Sequence, residues 1–217
     1  MDHRIRRCGT PRSGGASMSA RLTVLASGGG SNLQAILSAC SSGELAASVV
    51  CVVSDNANAG ALLRAEAAGV PSVFVHPRPA NVAMDRRVWD RSLANVVAKC
   101  RPDWIVLAGF MRLLTSEFLD QFPHRVVNLH PARPGELPGT KAIERAFAEF
   151  TAGTRILSGV MVHLVPNGGV DDGPVLATAD VAFRPGDTVA DFTDRMHRAE
   201  RSLLVSTLSR LVQEVSA

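Results

Sequence analysis

Apolar and polar positions along the chain fall into two regimes. Short apolar runs at Leu22–Ala26, Val49–Val53, Val73–Val75, Trp104–Ala108 and Val126–Leu129 lack polar alternation, as strands covered on both faces do. Between them the spacing turns helical. Leu33, Ile36, Leu37 and Cys40 fall at i, i+3, i+4 and i+7 after Ser31, and Ser31 with Gln34 reads as a capping box. Further helices are predicted over Leu62–Ala68, closed by Gly69 and Pro71, over about Asp85–Lys99, and briefly near Glu117. This β-α alternation predicts a mostly parallel central sheet flanked by helices.

The later chain changes character. Val160–Val165 and Val175–Phe183 read as strands across the turn-rich segment Pro166–Pro174, an antiparallel addition to the sheet. A closing helix from Thr188 to about Val215 opens on its own capping pair, Thr188 and Asp191. The first 18 residues are rich in Arg, Gly and Ser and show no periodicity. They are expected to be a disordered tail or an over-called start with Met18 as initiator, leaving one domain over 19–217.

Composition narrows the function. The chain is 46% hydrophobic and 20% charged, and no apolar run approaches the roughly 20 residues of a membrane span. Its net charge of +3 is accounted for by Arg4, Arg6, Arg7 and Arg12 against Asp2 in the tail. The body is neutral, which argues against a nucleic-acid partner. Cys8, Cys40, Cys51 and Cys100 are scattered singly, the pattern of reduced thiols in a cytoplasmic protein rather than a zinc or disulfide framework.

Three loops carry candidate chemistry. Ser27-Gly28-Gly29-Gly30-Ser31-Asn32 joins a strand to a helix, so backbone amides and the helix dipole favour a phosphate there. No Gly-Lys-Ser/Thr follows, Leu33 stands where a dinucleotide fingerprint needs Gly or Ala, and Asp55 is the alternative reading as a ribose-binding acid. Asn128 and His130 share one side of a strand end, where an amide can hold a developing oxyanion and an imidazolium can donate a proton. Asp171 and Asp172 lie in a late turn. A carboxylate set against His130 would raise its pKa. By themselves, a strand-end His, an Asp-Gly turn and His163 all read as structural.

VLASGGGSNLQAI, PDWIVLAGFMRLL, NLHPARPG and VDDGPVL, in that order, resemble the motifs of the glycinamide ribonucleotide formyltransferases, within the folate formyltransferase superfamily. The resemblance implies a Rossmann-like formyltransferase fold and transfer of a formyl group from 10-formyltetrahydrofolate, without a metal, to the amine of glycinamide ribonucleotide. It gives the catalytic roles to Asn128, His130 and Asp171. Gly30, Ser31 and Asn32 would hold the substrate phosphate, with His197 and Glu200 contacting the ribonucleotide. Arg86, the strip Met111, Arg112, Leu113 and Leu114, and the loop Asn167, Gly168, Gly169, Val170 and Asp171 would seat the folate. The expected assembly is a monomer or homodimer.

Departures from the family pattern accompany these matches. Arg133 puts a charge where relatives bury leucine, Lys141 replaces a frequent His, and Asn167-Gly168-Gly169 lacks an acidic residue, which would loosen the folate loop. Two other enzymes of the superfamily compete with the transferase reading. A deformylase passes the formyl group to water, and a tRNA-directed enzyme needs an RNA-binding surface. A module that binds nucleotide without catalysis is a third alternative.

Overall fold

The computed structural model describes residues 19–77 and 86–215. The tail and Asp85 lie outside them. The sheet order is β3-β2-β1-β4-β5-β6-β7, with β1 Ala20–Leu25, β2 Ala47–Ser54, β3 Ser72–Phe74, β4 Trp104–Leu107, β5 Val126–His130, β6 Leu157–Leu164 and β7 Val175–Ala182. The first five strands run parallel, whereas β6 is antiparallel to β5 and β7 to β6, as the late change of pattern predicts. Strand order reverses at β1 and β4, and in open α/β sheets ligands bind outside the carboxyl ends of strands at that point.

Strand residues alternate between two cores. Val24, Val52, Val106 and Val127 pack with α1 (Ser31–Ser42), α2 (Gly60–Ala67) and α6 (Val189–Val215). Leu25, Val53, Ile105 and Val126 face α3 (Arg86–Lys99) and α4 (Ser116–Leu119). Burial on both faces is why these strands read as unbroken apolar runs.

Helix α5, Ala142–Thr151, was not foreseen. Ile143, Ala146, Phe147 and Phe150 have the helical spacing, yet the helix starts at Lys141 in a left-handed conformation with no side-chain cap, so the start signal is missing. Helix α1 also departs from expectation. Its N-cap is Gly30, at φ 75°, and Ser31 is already helical, so the Ser31–Gln34 box does not form. The box at α6 does: Thr188 N–H donates to Asp191 and Asp191 N–H to Thr188 Oγ1.

Candidate active site

The glycine loop leaves β1 at the switch point. A Cβ at Gly30 would sit 2.8 Å from Ala61 Cα, while Gly28 and Gly29 face open space. The loop therefore packs closely on α2 below and stays uncovered above, where Ser31 and Asn32 open α1. Asn32 Oδ1 is buried without a hydrogen-bond partner. Ser27 anchors the loop to the next strand end, because its N–H donates to Gly109 O and its Oγ accepts from Met111 N–H.

Ser27 Oγ also donates to Asp55 Oδ1 at 2.6 Å, and Arg112 Nε reaches Asp55 Oδ2 at 2.5 Å. Asp55 is thus committed to tying two loops together, and its reading as a ribose-binding acid is withdrawn. Beyond it, Met111 and Leu113 are 64% and 60% exposed, an unusual state for large apolar side chains and one suited to a flat ligand. They border a cavity of about 450 Å³ that also takes in Asn128, His130, Gly139, His163, Val170 and Asp171.

At the cavity floor, period two sends Asn128 and His130 to the same face of β5. Antiparallel pairing sets His163 directly opposite Asn128. Asp171, at φ 56° in the β6–β7 turn, completes the group. Asn128 Nδ2 donates to Asp171 Oδ1 at 3.0 Å and lies 3.1 Å from His163 Nε2. His163 Nδ1 faces Leu164 O at 2.9 Å. A carbonyl only accepts, so in the neutral ring Nδ1 carries the hydrogen and Nε2 accepts from Asn128.

His130 Nδ1 lies 3.2 Å from Asp171 Oδ2, and Nε2 donates to Leu137 O at 3.0 Å. Gly139 N–H donates to Asp171 Oδ2 at 2.8 Å. Burial pushes the His130 pKa below its ordinary value and outweighs the opposing pull of Asp171 and Leu137 O. Asp171 thus pulls the ring upward as expected, but the net shift is downward because burial is the larger effect. Burial also works against ionised Asp171, but the contacts with His163, Gly139 N–H and His130 prevail and hold it below the usual carboxylate range.

His163, read from the sequence as structural, is 1% exposed and sits inside this cluster. Only the β5–β6 register reveals its place, and nothing local in Met-Val-His-Leu-Val announces it. The departures also resolve physically. Arg133 lies across Gly159, where a Cβ would meet its Cγ at 2.8 Å, and pairs with Asp180 at 3.1 Å near the surface. Asn167 Nδ2 donates to Asp120, and Gly168 and Gly169 supply φ values of 93° and 80°. Those glycines supply the left-handed conformations of the turn.

Arg112, Leu114 and Gly169 also line the cavity, whereas Arg86, His197 and Glu200 lie apart from its lining. Arg86 Nε pairs with buried Asp90 at 2.9 Å, and Arg86 and Arg112 both stand over the Trp89 ring, at 5.1 and 5.4 Å. On α6, His197 Nε2 is 3.8 Å from Glu200 Oε2. Burial, with Arg201, lowers the His197 pKa. Burial raises the Glu200 pKa from 4.5 to about 7, against the pull of Arg201. A carboxyl with a raised pKa stabilises the fold fully below 4.5 and loses that contribution as pH rises through about 7. Glu200→Gln should therefore match the parent at pH 4 and exceed it at pH 8 by on the order of 3 kcal/mol. Thermal unfolding at the two pH values measures this, and a difference independent of pH would sink it.

Residues 20–208 match the formyl transferase family model, so the fold and this cluster define a formyl-transferring class of enzyme. A phosphoribosylglycinamide formyltransferase of Schizosaccharomyces pombe is 35% identical over 91% of this chain and 99% of its own length. The Mycobacterium tuberculosis enzyme of that name is 39% identical over 90% of this chain and 86% of its own. The crystal structure of glycinamide ribonucleotide transformylase 1 from Symbiobacterium toebii superposes with a TM-score of 0.82 at 35% identity, covering 90% of this chain and 88% of that one. The chain belongs to the phosphoribosylglycinamide formyltransferase family.

Proposed function

We propose that Asn128, His130 and Asp171 carry the transfer of a formyl group from 10-formyltetrahydrofolate to the amine of glycinamide ribonucleotide, the purine-biosynthetic reaction of the family. The observation that carries this reading is the Asp171 carboxylate, bonded to Asn128 and facing His130 at the end of β5. The formyl donor supplies an activated carbonyl on a nitrogen leaving group. Exposed Met111 and Leu113 give the cavity an apolar wall for its flat ring. Arg86, Leu114 and the turn Asn167–Asp171 are proposed as further folate contacts, and Gly30, Ser31, Asn32, His197 and Glu200 as ribonucleotide contacts.

Each of the three residues has a distinct task. Asn128 donates an N–H to the carbonyl oxygen as negative charge builds on it, giving up one of its two resting bonds to do so. His130 is uncharged at rest and flanked by two oxygens, Asp171 Oδ2 and Leu137 O. A proton taken from the attacking amine leaves both its ring nitrogens hydrogen-bonded, and the ring then returns a proton to the leaving nitrogen. Asp171 holds Asn128 and His130 in register. The unpaired thiols Cys40, Cys51 and Cys100 suit a reducing, cytoplasmic setting.

Folate release from 10-formyltetrahydrofolate, measured with and without glycinamide ribonucleotide, tests the reading. Release that depends on the amine supports it, and equal release without the amine makes the chain a deformylase. Asp171→Asn should move the His130 limb of the kcat/KM profile to lower pH, since the carboxylate is what raises that ring's proton affinity. Asparagine tolerates the left-handed backbone at φ 56°, so the turn should survive. An unmoved limb would leave Asp171 only a structural part.

A further inference from the structure

The segment between β5 and α5 crosses both His130 and Asp171. Leu137 O accepts from His130 Nε2, and Gly139 N–H donates to Asp171 Oδ2. The strap is bent through left-handed conformations at Gly135, Leu137, Gly139 and Lys141, with φ of 76°, 47°, 82° and 57°. Two of these residues are not glycine, so its shape is imposed by contacts rather than by backbone preference.

The contact that imposes it comes from α5. Arg145 Nη2 donates to Leu137 O at 2.6 Å and to Pro138 O at 2.7 Å. An exposed helix arginine that spends its guanidinium on consecutive carbonyls of a bent loop is fixing that loop. Leu137 O thereby serves two donors, Arg145 and His130. The titratable side chains acting on His130 come from three elements: Asp171 from the β6–β7 turn, which favours protonation, and His163 from β6 and Arg145 from α5, which both oppose it.

We propose that Arg145 is a positioning residue for His130, holding the Leu137 carbonyl against the imidazole and so setting both the ring's orientation and its readiness to take a proton. The proposal rests on the catalytic reading of His130 given above. It adds a residue that need not touch either substrate.

Arg145→Met keeps the aliphatic length and removes the charge and both bonds. It should lower kcat roughly tenfold, leave KM for both substrates nearly unchanged, and move the His130 limb of the rate profile to lower pH, because the Leu137 O hydrogen bond that favours the protonated ring outweighs the opposing Arg145 charge. Arg145→Lys, which restores a charged donor, should recover part of the rate and bring the limb back. Unchanged kcat and limb in Arg145→Met overturn the proposal, and so does a lower Tm with the limb in place. If Arg145→Met fails to fold, the same comparison is made between Arg145→Lys and the parent, with a smaller downward shift expected and an unmoved limb overturning the idea. NMR titration of the His130 ring in each variant separates the two readings. A ring pKa that falls while kcat stays constant supports Arg145 acting on His130 and sinks the catalytic role of His130, whereas a fixed or raised ring pKa sinks the proposal itself.

Discussion

His130→Ala is expected to cut turnover about 10²- to 10⁴-fold, the range for losing a positioned acid–base group. Three observations make this residue the most exposed point of the mechanism. It is 4% exposed yet lines the cavity. Burial keeps it uncharged at rest. Asp171 Oδ2 and Leu137 O wait on its two nitrogens for hydrogens that a neutral ring cannot supply to both. Such a ring can take one proton and hold it in place. On the proposed role, the proton moves only as the reaction proceeds, so kcat should fall while KM for both substrates changes little. Single-turnover measurement of folate release checks it, and a rate within a few-fold of the parent would remove His130 from the chemistry. Alanine also leaves Asp171 without one of its partners, so stability must be followed in parallel.

How much of this was legible before folding depends on whether the signal is local. The glycine loop, the parallel strands and the α6 cap all depend on neighbouring residues, and the apolar runs at Val24 and Val106 reported double-sided burial correctly. Period two put Asn128 and His130 on one face without further information. What failed needed tertiary context. Ser31 has the right spacing to Gln34 for a cap, but the N-cap is Gly30, one residue earlier, at a left-handed position packed against Ala61. Helix α5 has its apolar spacing but begins at left-handed Lys141, where no cap residue marks it.

The electrostatics of the site depend most on the fold. Asp171 beside His130 suggested a raised pKa, and the contact is there at 3.2 Å. Burial between β5 and the strap opposes it and wins, and burial cannot be read from a local motif. The resting ring is therefore a proton acceptor first and a donor second. That order suits an amine nucleophile, which must lose a proton before the leaving nitrogen gains one.

Asn128→Ala should lower kcat on the order of 10²- to 10³-fold, the usual cost of one oxyanion donor. Both of its N–H groups are engaged at rest, toward Asp171 Oδ1 at 3.0 Å and toward His163 Nε2 at 3.1 Å. The residue therefore has a holding function beside the catalytic one proposed for it, and the two separate by substitution. Alanine removes both and leaves two buried acceptors each short of a donor, at about 1–3 kcal/mol apiece. His163→Ala removes only one partner of Asn128 and leaves the amide free to face the carbonyl oxygen, so its effect on kcat should be the smaller. If instead His163→Ala matched Asn128→Ala in kcat while both variants kept their substrates' KM, the amide would be acting through His163 rather than on the reacting carbonyl. Donation to the oxyanion would then have to come from another group lining the cavity.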